Sequence, residues 1–129
     1  MVLIFGGAYQ GKLTYALERF GLTEGDVFRC GCEDASVPGG RRIINDLDKW
    51  ILALTKADAD VTGEVKRFIS ENEGAIVICN DISCGVVPED PVHRKWRETT
   101  GRAMSELAGV SHEVVRLFCG IATKLKDYN

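Results

Sequence analysis

The segment Gly6-Gly7-Ala8-Tyr9-Gln10-Gly11-Lys12 has the residue types and spacing to hold a phosphate. It matches G-x-x-x-x-G-K, follows an apolar run over residues 2–5 and opens a helical pattern, the context this pattern requires. The glycines let the backbone curl so that successive amide N–H groups point into one concavity, and the following helix adds the positive end of its dipole. Lys12 supplies a cation for the β- and γ-phosphates of a nucleotide. The next position usually carries a Ser or Thr whose hydroxyl binds magnesium, and here it is Leu13. Thr14 lies about 100° further round a helix and is no direct replacement. A competing reading treats the segment as a glycine-rich turn with an exposed lysine and no ligand.

Ile76-Val77-Ile78-Cys79-Asn80-Asp81 is an apolar strand pattern ending in an acid. An acid at that place can hold magnesium from across a sheet in nucleotide-hydrolysing and kinase folds. Asp81 is therefore the candidate metal residue, with Lys12 the second candidate catalytic group. In a parallel sheet the carboxyl ends of the strands share one crevice. On that basis residues 6–12, Glu33-Asp34 and Asp81 are expected to converge.

The elements needed to position these groups are legible as alternating patterns. Residues 2–5 read as a strand buried on both faces. Leu13, Ala16, Leu17 and Phe20 fall on one helical stripe closed by Gly21. Residues 26–32 suit a second strand and Ile43-Ile44 a short third. Ile44, Leu47, Ile51 and Leu54, with Trp50 beside them, repeat at helical spacing, as do Val61, Val65, Phe68 and Ile69, with Thr62 as a candidate cap. Residues 75–79 form the clearest strand pattern. Pro91 suits the first turn of a helix carrying Val92, Trp96, Ala103 and Leu107 inward, although Gly101 weakens it. Residues 114–118 read as the last strand. The alternation predicts an α/β fold: a doubly wound, mainly parallel sheet of the P-loop NTPase type, with residues 1–129 as one nucleotide-binding domain.

Composition agrees with a globular chain and excludes several classes. At 129 residues, 45% hydrophobic and 27% charged, the chain can build a core without disulfides or metal. Its net charge of −3 argues against a nucleic-acid or membrane-surface binder, which needs a basic face. No apolar run is long enough for a membrane span, and residues 1–12 lack the pattern of a signal peptide. The five cysteines, Cys30, Cys32, Cys79, Cys84 and Cys119, then read as free thiols in a reducing cytoplasm. Cys30 and Cys32 are too closely spaced for a C-x-x-C metal or redox pair.

From Ile76 onward, through Asn80-Asp81-Ile82-Ser83-Cys84-Gly85-Val86-Val87-Pro88 and Arg94-Lys95-Trp96-Arg97, the chain resembles the bifunctional adenosylcobinamide kinase/adenosylcobinamide-phosphate guanylyltransferase family. Residues 80–88, Asn-Asp-Ile-Ser-Cys-Gly-Val-Val-Pro, are similar to its T-N-E-V-G-x-G-I-V-P. The likeness continues through Arg94-Lys95-Trp96-Arg97-Glu98-Thr99-Thr100-Gly101 (family R-x-F-R-D-x-x-G), and then Gly120-Ile121 and Lys124-Leu125-Lys126. Gly6-Gly7-Ala8 and Gly11-Lys12 resemble its G-G-A-R-S-G-K-S, and residues 43–50 are loosely like its L-L-D-C-L-T-L-W. The resemblance implies a P-loop domain, assembled as a homo-oligomer (a trimer). Members of that family phosphorylate adenosylcobinamide with ATP or GTP and then transfer GMP to that phosphate in cobalamin biosynthesis, so the resemblance implies the same substrates here. It implies phosphate binding by Gly6, Gly7, Gly11 and Lys12 and places Asp81 at the acidic position near Mg2+. Arg94 and Arg97 match family arginines without an assigned role.

The departures bear on activity. The family carries a long basic segment after the second strand, containing the histidine that becomes guanylylated. Here only eight residues separate Cys32 from Arg41, and no histidine precedes His93. His93 and His112 lie in the region that aligns without a gap and match no such nucleophile, so guanylyl transfer by that route is not expected. Met104-Ser105 replaces an Asn-Gln pair, and Leu13 replaces the magnesium-binding serine. One reading is a reduced kinase that retains phosphoryl transfer to adenosylcobinamide. The alternative is a catalytically inactive nucleotide- or anion-binding sensor or partner subunit of the same fold.

Overall fold

The structure is a computed structural model that describes residues 1–8, 10–82 and 90–127. Tyr9, together with the family-like segment 83–89 that includes Cys84, lies outside the described residues.

Six strands form one sheet: β1 (Val2–Gly6), β2 (Val27–Arg29), β3 (Ile43–Asn45), β4 (Ile76–Asn80), β5 (Glu113–Phe118) and β6 (Ile121–Asp127). Their order across the sheet is β2-β3-β4-β1-β5-β6, with β1 to β5 mutually parallel and β6 antiparallel to β5. The interleaved helices are α1 (Lys12–Phe20), α2 (Leu47–Lys56), α3 (Val61–Glu71) and α4 (Pro91–Val110). Alternation along β1 and β4 sends Val2, Ile4, Ile76 and Ile78 to one face, where they pack with Ala16, Leu13 and Leu17 of α1. Leu3, Val77 and Cys79 go to the other face, against Trp50 and Leu54 of α2, Val65 and Phe68 of α3 and Leu107 of α4. Helices thus cover both faces, as a doubly wound α/β sheet requires. Each fully buried Leu, Ile or Phe in these two layers contributes about 1.5–3 kcal/mol relative to exposure.

This order creates a topological switch at β1. From β1 the chain crosses to the β2 edge and returns strand by strand to β4. It then passes over β1 to β5 on the far side. The crevice at the carboxyl ends of β1, β3 and β4 is where such a sheet accommodates a ligand.

Several elements differ from the sequence expectation, each for a local reason. The second strand is shorter than residues 26–32, because Asp26 is drawn into a 3₁₀ turn over Glu24–Asp26 in which it bonds the Thr23 amide. Asp60, not Thr62, caps α3: its carboxylate accepts from the Gly63 amide at 3.2 Å. In α4, capped by Asp90, Ala103 and Leu107 are buried as expected and Trp96 is half-buried, but Val92 in the first turn is exposed. Gly101 does not interrupt the helix. The strand expected to be last is followed by β6, joined through Cys119-Gly120, where both residues have positive φ (50° and 75°). That pair is what a two-residue hairpin of the favoured twist needs, with Cys standing where Asn is the familiar signal.

Candidate functional site

Loop residues 7–11 leave β1 at its buried carboxyl end. Gly6 marks the exit, with φ 156°, and a Cβ there would lie 2.3 Å from the Leu117 carbonyl oxygen. Only a glycine lets β1 run so close to β5 at this point. At the other end of the loop Gly11, with φ 79°, occupies the position preceding α1, and among the described residues no side chain caps the helix. The first amides of a helix have no intrahelical acceptor, and those of α1 adjoin the crevice beside the loop. The Gln10 side-chain oxygen accepts a hydrogen bond from the Cys119 amide, tying the loop to the β5–β6 turn.

Lys12 is the opposite of an exposed turn lysine. It is only 6% exposed, and its Nζ donates to the Gly7 carbonyl at 2.6 Å. Burial lowers its pKa, an effect opposed first by the Asp48 carboxylate and then by Asp46. Burying an ammonium is costly unless a partner compensates. Here the nearby carboxylates and the Gly7 carbonyl share that task.

A cavity of about 440 Å³ opens over this loop, lined by Gln10, Gly11, Lys12, Leu13, Thr14, Asn45, Asp46, Lys49, Asn80, Ala8 and Ile78. Asp46 follows β3 and adopts a left-handed conformation (φ 61°). Its carboxylate accepts from the Asn80 side-chain amide at 3.3 Å and pairs with Lys49 at 3.3 Å, which raises the Lys49 pKa. Asp48 lies beneath, 4% exposed, and accepts from the Asn80 backbone N–H at 3.0 Å and its Nδ2 at 3.3 Å. Burial raises the Asp48 pKa against those hydrogen bonds. Its carbonyl receives the Trp96 Nε1–H at 2.7 Å, so α4 buttresses the cluster.

Of the expected site residues, the structure brings Ala8, Gln10, Gly11, Lys12 and Leu13 to this cavity, with Gly6 and Gly7 at its root. Tyr9 lies outside the described residues. Leu13 is half-buried, packing with the β1–β4 layer while one side lines the cavity. Asp81 reaches the end of β4, where its amide bonds the Gly6 carbonyl at 2.8 Å, but it lines a different cavity. Glu33 and Asp34 do not join the loop either: Glu33 pairs with Lys56, and Asp34 accepts from the Ser36 amide. The polar groups that share this cavity with Lys12 include Asn45, Asp46, Lys49 and Asn80, which the sequence reading did not single out as site residues. The available signal was that Asn45-Asp46 ends the apolar pair Ile43-Ile44, just as Asn80-Asp81 ends residues 76–79. Among the described residues no three His, Cys, Asp or Glu side chains cluster as a metal site, and Cys30, Cys32, Cys79 and Cys119 are free thiols. No helix among them is long and apolar enough to cross a membrane.

The arrangement can bind a polyanion through helix-terminal amides and two lysines, with one accessible carboxylate beside it. Comparison with known proteins gives it a family context. Residues 39–125 match the family described as cobinamide kinase / cobinamide phosphate guanyltransferase. The bifunctional adenosylcobalamin biosynthesis protein CobU of Escherichia coli (strain K12) is 33% identical over 86 residues, covering 63% of this chain and 46% of that protein. The protein of the same name from Salmonella typhimurium is 28% identical over 86 residues, covering 64% and 46%. The matched region thus spans about half the length of these relatives. It includes Asp46, Asp48, Lys49 and Asn80, while the loop carrying Lys12 precedes the region matched by the family. The chain belongs to the cobinamide kinase / cobinamide phosphate guanyltransferase family.

Proposed function

We propose that this protein binds ATP or GTP through a P-loop formed by residues 6–13 and retains a phosphotransferase activity toward adenosylcobinamide without guanylylation. The observation that carries the reading is Lys12, buried beside an uncapped helix terminus in a polar cavity that also presents Asp46. The amides at the start of α1 hold the terminal phosphates, and Lys12 leaves the Gly7 carbonyl to meet them. Lys49, now paired with Asp46, is the second cation within reach of the same polyanion.

Magnesium suits the donor set: this ion is commonly held by one or two carboxylates together with substrate phosphates. Asp46 is the acid placed to hold it, oriented by the Asn80 amide. Asp81, one residue beyond Asn80, is the second acid at this strand end. Bound magnesium would neutralise charge on the transferring phosphoryl group. Asp48 keeps Asn80 in register through two hydrogen bonds and so positions Asp46 indirectly. The acceptor hydroxyl oxygen would bond the terminal phosphorus as the bridging P–O bond breaks, releasing a nucleoside diphosphate and passing the hydroxyl proton to solvent. In this reading guanylylation by the family's histidine route is not retained. The histidines of the chain are His93 and His112, and neither lines the cavity.

A second reading rests on Leu13. Its side chain packs into the β1–β4 layer where a hydroxyl would contact magnesium, which favours a nucleotide sensor or partner subunit without catalysis. Labelled ATP and GTP separate the two. Transfer of the γ-phosphoryl to adenosylcobinamide, with no labelled protein formed from α-labelled GTP, supports the kinase. Nucleotide binding without transfer selects the sensor. Loss of transfer by about 10²–10³-fold in Asp46→Asn but not Asp81→Asn assigns the metal-side acid to Asp46, and the reverse pattern assigns it to Asp81.

A further inference from the structure

Asn45 ends β3 in the cavity over Lys12, and its side chain is left without a partner there. The residue is only 7% exposed, yet among the described residues its carboxamide makes no hydrogen bond. Nor is that carboxamide sealed in protein. Among the described residues, the unpartnered side-chain atom closed off in that way is Thr100 Oγ1 of α4, beside the cavity on the opposite face that Asp81 lines. The Asn45 amide therefore keeps access to the cavity that the residue lines. Buried amides in folded proteins are almost always paired, and an unpaired one calls for a partner that the protein itself does not supply.

Asn80 supplies a second group of this kind. Its Nδ2 donates to Asp46 and to Asp48, both at 3.3 Å, so both amide hydrogens are taken. Ionised carboxylates only accept, which fixes the nitrogen on their side and leaves Oδ1 without a partner among the described residues. Ile43 and Ile78 share the face of the sheet that α1 covers, and alternation puts Asn45 and Asn80 on that face too. The two side chains thus offer amide hydrogens and unpaired acceptor oxygens to one space. Strand β3 also stands two strand spacings, about 10 Å, from β1, where the phosphate loop begins.

An ionised phosphate oxygen does not satisfy this arrangement, because it has no hydrogen to give to Asn80 Oδ1. A hydroxyl does: it accepts from Asn45 Nδ2 and donates to Asn80 Oδ1. We propose that Asn45 and Asn80 bind the hydroxyl group of the alcohol that accepts the phosphoryl group, with Asn45 as the residue that selects for it. The inference rests on the phosphotransferase reading above. Neither carboxamide can take up the hydroxyl proton, so the pair orients the oxygen and leaves the proton to solvent as that oxygen bonds phosphorus.

Adenosylcobinamide and its analogue with hydrogen in place of the acceptor hydroxyl serve as probes, titrated calorimetrically into the full chain without nucleotide. The parent should bind the alcohol about tenfold more tightly than the analogue, the value of one to two neutral hydrogen bonds. Asn45→Ala should lose most of that preference while its affinity for magnesium-ATP stays that of the parent. Should that variant fail to fold, Asn45→Leu, close to asparagine in shape, carries the same expectation. A parent that does not prefer the alcohol, or a preference that survives loss of the Asn45 carboxamide, would overturn the proposal. So would a matching loss of ATP affinity in the variant, which would make Asn45 a phosphate ligand. A parent that binds no ATP yet prefers the alcohol would instead refute the phosphate-loop reading and leave the hydroxyl site standing.

Discussion

Lys12 carries conflicting demands. Its ammonium is buried, and burial lowers its pKa, so the protein bears a cost for keeping it charged in the absence of a ligand. Lys12→Met should therefore be no less stable than the parent in urea denaturation without ligand. A clear loss of stability would show that the Gly7 contact is structural. Glu113 illustrates the ordinary case. Arg19 grips its carboxylate through both guanidinium nitrogens, one at 2.7 Å, and this hydrogen bonding holds the Glu113 pKa below its usual 4.5. The unfolded chain then takes up the proton first as pH falls. The pair's contribution is complete above 4.5 and is lost as pH drops through the lowered value. Stability measured between pH 6 and about 3 should fall less steeply in Glu113→Gln than in the parent, and an unchanged slope would remove the pair from the acid response.

At the level of elements, strands and helices recorded in apolar periodicity were legible in the sequence, down to Gly21 closing α1 with a positive φ. What escaped was set by geometry that periodicity does not encode. Strand β6 is exposed along most of its length and carries no buried stripe, so only its hairpin turn could have announced it. The α3 cap depends on which carboxylate can reach a free amide, and Asp60 reaches Gly63. Asp60→Ala should cost about 1 kcal/mol in chemical denaturation while Thr62→Ala stays near neutral, and the reverse order would return the cap to Thr62. Gly6 tests the β1 exit. Gly6→Ala places a methyl against the Leu117 carbonyl and should destabilise by about 1–3 kcal/mol, whereas a neutral result would mean that β1 and β5 can separate there freely.

The whole molecule explains why only half of the candidate site could be read in advance. The loop 6–12 is local, so its glycines and lysine could be proposed from one stretch of sequence. Asp46, Lys49 and Asn80 meet it only because the strand order sets β4 beside β1 and β3 beside β4, a fact no single stretch of sequence contains. The same topology sends Asp81 to the opposite cavity although it directly follows Asn80. At this scale we also propose self-association, because β6 is an edge strand and Phe118, Ile121 and Leu125 around it are exposed. Sedimentation should show an oligomer that Ile121→Lys with Leu125→Lys weakens, and a parent sedimenting as a monomer would refute it. The most direct test of the central claim is thermal unfolding with ATP or GTP, with and without magnesium, in the parent protein and Lys12→Met. At nucleotide concentrations about a hundredfold above Kd, the parent should gain roughly 2.7 kcal/mol while Lys12→Met gains little or nothing. Equal responses of the two proteins, or none in the parent, would contradict a phosphate site built around Lys12.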